Sequence, residues 1–170
     1  TCMSIVVILP AQIAKFLRGP RDCNLLDARK QSGAKVELVE DGSDEISLEV
    51  RGTTTAVTSA VHRCAEFIKL ATDRCAKDKH LTLSVVVEAG EERVQTLCSK
   101  PAAIKFDPGD EDCPDDVLTL EGASEDVATS LNNVVKEILL LRHAKLLRDK
   151  QPQSATGVSP MSVKSESWAV

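Results

Sequence analysis

The stretch PAQIAKFLRGPRDCNLLDARKQSGAKVEL, residues 10–38, places two short helical segments on either side of a tight turn. Ala11–Leu17 has helical composition and stops before Gly19-Pro20, a pair that marks a turn. Asn24–Gln31 predicts a second helix, with Asn24 in the position of its N-cap. The sequence therefore predicts a helix–turn–helix segment in this region.

The segments around this stretch complete the order β-α-α-β-β-α. Short β-branched or alternating runs predict three strands, at Ser4–Leu9, Lys35–Val39 and Glu45–Arg51. Thr53–Ala71 predicts a long helix, because apolar residues recur there at helical spacing. The members of this stripe are Val57, Val61, Cys64, Ile68 and Ala71.

A weak internal repeat appears when the sequence is shifted by about 70 residues. Gly52 then meets Gly122, and the long helix meets a second one predicted at Ser124–Arg148. The other predicted elements of this second half are strands and one short helix, at Leu83–Val87, Glu91–Ser99 and Ala103–Phe106. Less chain separates its first two strands than in the first half, so about one helix and its loop are missing there.

The turn Gly19-Pro20-Arg21-Asp22, between two short helices in this order, resembles the GXXG loop of a type I KH domain. The tandem arrangement is most similar to the vigilin group of multi-KH proteins, with Bicaudal-C-type proteins second. The resemblance implies an α+β fold of two KH-type units, the second shortened and without a GXXG loop. We place a KH domain at residues 4–72, a KH-like domain at residues 81–148 and a disordered tail at residues 149–170. These two domains are called the first and the second repeat below.

The resemblance implies that the first repeat contacts single-stranded RNA. In the family, glycines let the backbone approach the sugar-phosphate chain, and bases lie across a shallow groove. Loop residues and nearby basic side chains are therefore the candidate RNA-binding residues: Lys15, Arg18, Gly19, Pro20, Arg21, Asp22, Arg29, Lys35 and Val36.

The loop departs from the family pattern where the contact with RNA would be made. Asp22 stands in place of the last glycine, and its carboxylate repels phosphate. Pro20 removes one N–H donor, and Arg18 replaces the usual apolar residue before the first glycine. Arg18 and Arg21 can still hold a phosphate, so we expect weak or auxiliary RNA contact.

Charge and composition narrow the function classes. The chain of 170 residues has a net charge of −5 and only three Phe, one Trp and no Tyr, which excludes base stacking on aromatic platforms. The first 80 residues carry 12 Lys and Arg against 11 Asp and Glu, whereas residues 81–170 carry 9 against 15. If one half touches an anion, it is the first half.

The remaining residue types give no sign of catalysis. The three histidines are scattered, no nucleophile motif or phosphate-binding loop is present, and we expect no enzyme, catalytic residue, cofactor or metal site. The acids between Asp107 and Asp116 do not follow the spacing of a calcium loop and favour a solvated turn. The six cysteines lack metal-binding spacing, so we expect reduced thiols that act as small hydrophobic residues.

Two functions from different classes remain. The leading one is a module of a multi-KH RNA-binding protein that acts in mRNA regulation and translation. We expect this module to be cytoplasmic and to form a piece of a longer chain. Its expected partners include neighbouring KH domains, and we expect no membrane contact. The alternative is a protein-interaction or structural scaffold made of degenerate KH units. In either case we expect a three-stranded sheet in each repeat, a charged linker at Asp73–His80, and Ser84–Val87 as an edge strand able to support a dimer.

Overall fold

The fold is an antiparallel sheet covered by helices, seen in a computed structural model that describes residues 2–40, 42–98 and 101–150. The strands are β1 Met3–Pro10, β2 Lys35–Glu40, β3 Glu45–Gly52, β4 His80–Val87, β5 Ala103–Asp107 and β6 Asp116–Ala123. The helices are α1 Ala11–Arg18, α2 Cys23–Ser32, α3 Thr54–Cys75, α4 Val94–Leu97 and α5 Ser124–Lys150. Short 3-10 turns at Pro20–Asp22 and Glu91–Arg93 precede α2 and α4. The predicted α+β class is confirmed.

Alternation along β1 explains how the sheet meets the helices. Its odd-numbered side chains, including Ile5, Val7 and Leu9, are buried, whereas Ser4 is exposed. This period of two places every second residue on the face that packs against the helices. In the first repeat β1 pairs with β3, and β3 pairs with β2, so that Val7 lies opposite Leu48.

The predicted stripe of α3 forms the centre of this core. All five of its members, Val57, Val61, Cys64, Ile68 and Ala71, are buried. The helix begins after Thr53, whose hydroxyl accepts a hydrogen bond from the amide of Ala56 at 3.1 Å, as an N-cap does. Helices α1 and α2 contact α3, and α3 contacts β1 and β3. The helices of the first repeat therefore cover one face of its sheet.

The prediction of a separate three-stranded sheet in each repeat is wrong, because β1 also pairs with β4. The pairing is antiparallel, with Val7 opposite Val85 and Ile8 opposite Ser84. It joins all strands into one six-stranded sheet in the order β2-β3-β1-β4-β6-β5. The prediction of Ser84–Val87 as an edge strand is also wrong, since β4 lies between β1 and β6. The edges of the sheet are β2 and β5.

The expected linker at Asp73–His80 is shorter than predicted, since α3 continues to Cys75 and β4 begins at His80. Hydrogen bonds tie this connection to the start of α5. The carbonyl of Lys79 accepts from the amide of Ser124 at 2.8 Å, and the Ser124 hydroxyl donates to the Asp73 carboxylate at 2.5 Å. Further along the two helices, the Asn132 amide and the His62 ring lie 3.2 Å apart. Helices α3 and α5 are thus neighbours.

Helix α5 has a buried and an exposed part. Its side chains Val127, Leu131 and Ile138 are buried, whereas Leu140 and Leu147 are about half exposed. The described residues up to Leu139 form one compact unit, and residues 140–150 continue as helix in a second. The helix extends through Lys150, so the predicted tail starts too early at residue 149, and the rest of that segment lies outside the described residues. No described helix is both long and apolar enough to cross a membrane.

The cysteines divide into two groups. None forms a disulfide, and Cys64 and Cys98 are buried, as expected of small hydrophobic residues. The other four are exposed, which corrects the expectation for them: Cys2, Cys23, Cys75 and Cys113. Exposure leaves these four thiols accessible to reagents, whereas burial in the core protects the thiols of Cys64 and Cys98.

Candidate nucleic-acid interface

The start of α1 is fixed by Pro10 and by a bond to a distant loop. Pro10 has φ −59° and ψ 143°, an extended conformation that ends β1 and leads into the helix. The Ala11 amide, which has no partner inside the helix, donates to the carbonyl of Asp44 at 2.9 Å. Ile13 and Leu17 are buried, so Lys15 projects from the opposite side of α1 and is exposed. The helix therefore presents a basic side toward solvent.

The turn after α1 requires glycine at its first position. Gly19 has φ +73°, and a Cβ there would lie 2.8 Å from Asn24 Nδ2 and 3.0 Å from Cys23 Sγ. The Asn24 side chain occupies this space because its Nδ2 donates to the carbonyl of Phe16 at 3.1 Å. The prediction that Asn24 is the N-cap of α2 is wrong: its amide instead satisfies a carbonyl at the end of α1, and α2 begins at Cys23.

The last two residues of the turn are held in the left-handed region. Arg21 has φ +54° and Asp22 has φ +62°, values that glycine adopts at much lower cost. Asp22 thus has the left-handed conformation that favours glycine, at the position where the sequence predicts a departure from the GXXG pattern. The Asp22 carboxylate lies 3.6 Å from Arg18 Nε, with both side chains about half exposed. The loop partly neutralises its own charge.

A cleft of about 370 Å³ lies beside this loop, between α1 and the strands β2 and β3. The residues that line it are Ala11, Gln12, Ala14, Lys15, Arg18, Leu38, Glu40 and Ile46. Ala14, Leu38 and Ile46 provide an apolar floor, while Lys15 and Arg18 contribute positive charge from α1. Arg18 belongs both to the cleft and to the ion pair with Asp22, so it connects the cleft to the turn.

Electrostatics distinguish the basic residues of this region. Within the described parts of the chain, Lys15 and Arg21 have no ion-pair partner, whereas Arg18 is paired with Asp22. Glu40 lies on the strand side of the cleft and offsets part of the positive charge. An anion entering beside α1 therefore meets two unpaired cations and one that must first give up a carboxylate.

The structure separates the predicted residues into two groups. Lys15 and Arg18 line the cleft, and the turn at residues 19–22 follows directly after Arg18. Arg29 instead donates from Nε to the carbonyl of Val36 at 2.7 Å, joining α2 to β2. The Val36 side chain is fully buried, and Lys35 Nζ lies 3.5 Å from the Glu37 carboxylate. Arg29, Lys35 and Val36 therefore form the second group, which does not line the cleft.

The candidate residues from the sequence did not include Leu38, Glu40 and Ile46, which line the strand side of the cleft. Alternation along β2 carried the missing signal, since Leu38 shares the face of the apolar Val36 and is two residues nearer the end of the strand.

The described residues of the second repeat include no equivalent of the turn or of the α1 wall of the cleft. Between β4 and β5 the described residues form only a 3-10 turn and the four-residue helix α4. Glu91 is buried in this connection, and its carboxylate accepts from the amide of Glu88 at 2.8 Å. The chain here folds back with about one turn of α-helix where the first repeat places α1 and α2.

The acidic segment before β6 is a self-bonded turn. The Asp110 carboxylate accepts from the amides of Asp112 at 2.9 Å and Cys113 at 2.7 Å, and that of Asp116 accepts from Gly109 at 2.7 Å. Among the described residues no cluster of His, Cys, Asp or Glu has the arrangement to hold a metal ion. The carboxylates thus serve to cap backbone amides within the loop.

Comparison with known proteins gives no family assignment, since no protein-family model and no curated protein matches the chain. Among solved structures, the chain is similar to one from an a/eIF2alpha-aDim2p-rRNA complex of Pyrococcus horikoshii OT3, at 9% identity and a TM-score of 0.31, over 87% of this chain and 96% of that one. It is also similar to the aspartate kinase of Clostridium acetobutylicum, at 16% identity and a TM-score of 0.27, over 81% of this chain and 32% of that one. With TM-scores this low, neither likeness bears on function.

Proposed function

We propose that this chain is a module of a multi-KH RNA-binding protein in which the first repeat makes weak, auxiliary contact with single-stranded RNA. The order of β1, α1, α2, β2, β3 and α3, with a turn of GXXG type between α1 and α2, supports a KH-type first repeat. β4 to α5 is a shortened counterpart, whose strands occupy mirrored places in the sheet order. The proposal includes a role in mRNA regulation and translation, a cytoplasmic location, and binding without catalysis.

The observation that carries this proposal is the cleft between α1 and the strands. Its apolar floor of Ala14, Leu38 and Ile46 suits the flat faces of unstacked bases, and it needs no aromatic side chain. Lys15 on its wall and Arg21 in the adjacent turn offer positive charge to phosphate oxygens. A single strand of nucleic acid combines both chemistries along its length.

The ion pair between Arg18 and Asp22 explains why the contact is weak. A phosphate near the turn must displace the Asp22 carboxylate from Arg18 or accept its repulsion. Pro20 also withholds one backbone donor from the turn, which a glycine-containing loop would offer. The residual attraction comes from Lys15 and Arg21.

A second function is favoured by the same ion pair. A turn whose arginine is already paired, next to a repeat with an acidic loop and, in its described residues, no counterpart of α1 and α2, is also what a scaffold freed from RNA binding would have. In that case the six-stranded sheet would serve to hold partner proteins or neighbouring domains. The two functions differ in one measurable property, the affinity for single-stranded RNA.

Fluorescence anisotropy with labelled pools of short single-stranded RNA tests the proposal. We expect the unaltered chain to bind with a Kd above about 10 µM at physiological salt. Asp22→Gly should tighten binding by about tenfold, because it removes the carboxylate and releases Arg18. The matched control is Asp112→Gly, which makes the same change in the exposed acidic loop and should alter the Kd less than about twofold.

Three outcomes would decide against parts of the proposal. Binding by the unaltered chain far below 10 µM would contradict the auxiliary role and make the chain a strong RNA binder. Absence of binding by Asp22→Gly, even at about 50 mM salt where phosphate contacts are strongest, would overturn RNA binding and leave the scaffold function. Equal gains from Asp22→Gly and Asp112→Gly would show that net charge alone matters.

A further inference from the structure

The face of the six-stranded sheet opposite the helices carries a continuous apolar patch. Side chains of even number in β1 and β4 point away from the helices, since their odd-numbered neighbours form the core. We call the patch the open face and define it by Val6, Ile8, Val86 and Val117. Among the described residues no helix covers it.

The strand registers bring the members of the open face together. Val86 lies opposite Val117, and continuation of the pairing of Ile8 with Ser84 brings Val6 opposite Val86. Small polar side chains fill the next positions, with Ser84 and Thr119 hydrogen-bonded at 3.2 Å. The patch therefore runs across β1, β4 and β6, at the seam where the two repeats join.

Charged residues of both signs surround this apolar centre. They lie on the outward side of the strands toward both edges of the sheet: Lys35, Glu37, Glu49, Arg51, Lys105, Asp107 and Glu121. An apolar centre inside a polar rim is the usual anatomy of a protein–protein interface. Because the rim carries both signs, the open face can meet a copy of itself without uniform repulsion.

The edges of the sheet are less suited to pairing than its face. At β2, Arg29 Nε donates a hydrogen bond to the carbonyl of Val36 at 2.7 Å, and this side chain obstructs the addition of another strand. At β5 the strand is only five residues long and carries Lys105 and Asp107. Short, charged edges are a common device against edge-to-edge association.

We propose that the open face is the contact surface between two copies of this chain, which pack sheet against sheet. Six strands at the usual spacing give a face of roughly 25 Å by 20 Å, so a pair would bury on the order of 1,000 Å². That area is at the lower limit of specific interfaces, the size range of weak and transient complexes, so we expect a weak dimer. The proposal is independent of RNA binding, because the cleft lies on the helix side of the sheet.

Sedimentation equilibrium of the full chain at increasing concentration tests this dimer. Val86→Lys introduces a charge at the centre of the open face and should weaken dimerisation at least about tenfold. The matched control is Leu70→Lys, which makes a similar change at an exposed position of α3 (48% exposed) and should leave the dimer unchanged. Circular dichroism checks that both variants are folded. A chain that remains monomeric at about 500 µM would overturn the proposal.

A dilution series followed by methyl NMR of the unaltered chain keeps the test independent of any variant. Methyl signals of Val6, Ile8, Val86 and Val117 should shift with concentration, while those of Leu26 and Leu70 on the helix side stay constant. Shifts confined to the helix side, or loss of the dimer in Leu70→Lys but not in Val86→Lys, would show that another surface mediates association.

Discussion

Arg21 and Asp22 carry backbone strain in the turn between α1 and α2. Both have positive φ, and neither is glycine. The left-handed conformation costs an ordinary L-residue roughly 1–2 kcal/mol, and somewhat less for Asp. The cost is tolerated because Gly19 and the Asn24 amide fix the path of the chain between α1 and α2.

Arg21→Gly should therefore stabilise the fold and weaken RNA binding at the same time. We expect a gain of about 0.5–1 kcal/mol in the free energy of unfolding, because relief of strain exceeds the added freedom of the unfolded chain. RNA affinity should fall, since one unpaired cation is lost. Urea denaturation and anisotropy measure the two effects. Arg21→Ala is the control: it removes the charge but keeps the Cβ, so an equal gain in stability there would refute the strain.

Cys64 gives the chain a pH dependence at alkaline pH. Burial raises the pKa of its thiol from an ordinary value near 9 to about 12. Between these values the unfolded chain loses a proton that the folded chain keeps, so stability is complete below pH 9 and falls as pH rises toward 12. The contribution of this thiol should be up to about 1.4 kcal/mol per pH unit.

Comparison of the unaltered chain with Cys64→Ala in urea, from pH 8 to about pH 10.5, isolates this contribution. The variant is less stable throughout because of the cavity, but its stability should fall less steeply with pH. Identical slopes would show that the Cys64 thiol does not remain protonated in the folded chain.

At the scale of elements, the hydroxyl of Ser130 holds α5 to the segment before β5. It accepts a hydrogen bond from the amide of Ala102 at 2.9 Å, and both residues are buried. Ser130→Ala should cost about 1–3 kcal/mol, because it leaves a buried amide without a partner. Ser59→Ala, the same change at an exposed position of α3, should cost less than about 0.5 kcal/mol in urea denaturation. Equal effects would mean that water replaces the hydroxyl.

The elements that local patterns determine were predictable from sequence. The stripe of α3 and the alternation of β3 placed their cores correctly, since burial of one face fixes the period of apolar residues. The ion pair between Arg18 and Asp22 has no such signal, because Arg18 ends α1 and Asp22 lies in the turn beyond Gly19, where helical spacing no longer applies. The capping role of Asn24 had none, since it depends on how the turn brings α2 back to Phe16.

The pairing of β1 with β4, which joins the two repeats into one sheet, could not be predicted from the sequence, for a physical reason. An alternating strand such as β4 has the same pattern whether one or both of its edges are paired. Val85 comes to lie beside Val7 only in the folded chain, and no residue type in β1 or β4 indicates this pairing. The strand side of the cleft was missed for the same reason, because Leu38 and Ile46 belong to strands that meet α1 only in the fold.

For the whole molecule, the continuous sheet predicts that the two repeats unfold together. Val85→Ala, a truncation of a fully buried side chain at the seam, should lower the stability of both repeats by the same amount, about 2 kcal/mol. Native-state hydrogen exchange of β3 and β6 amides measures this repeat by repeat. Faster exchange in β6 alone would show that the repeats are independent. Leu26→Ala, at an exposed position, should change neither.

We propose that single-stranded RNA binds in the cleft beside α1. Backbone NMR of the full chain, titrated with a pool of short single-stranded RNA at low salt, shows which residues the RNA contacts. We predict that amide signals of residues 14–23, Leu38 and Ile46 shift, and that signals of the second repeat between residues 91 and 123 do not. Shifts concentrated in the second repeat, or no shifts with either the unaltered chain or Asp22→Gly, would contradict the claim.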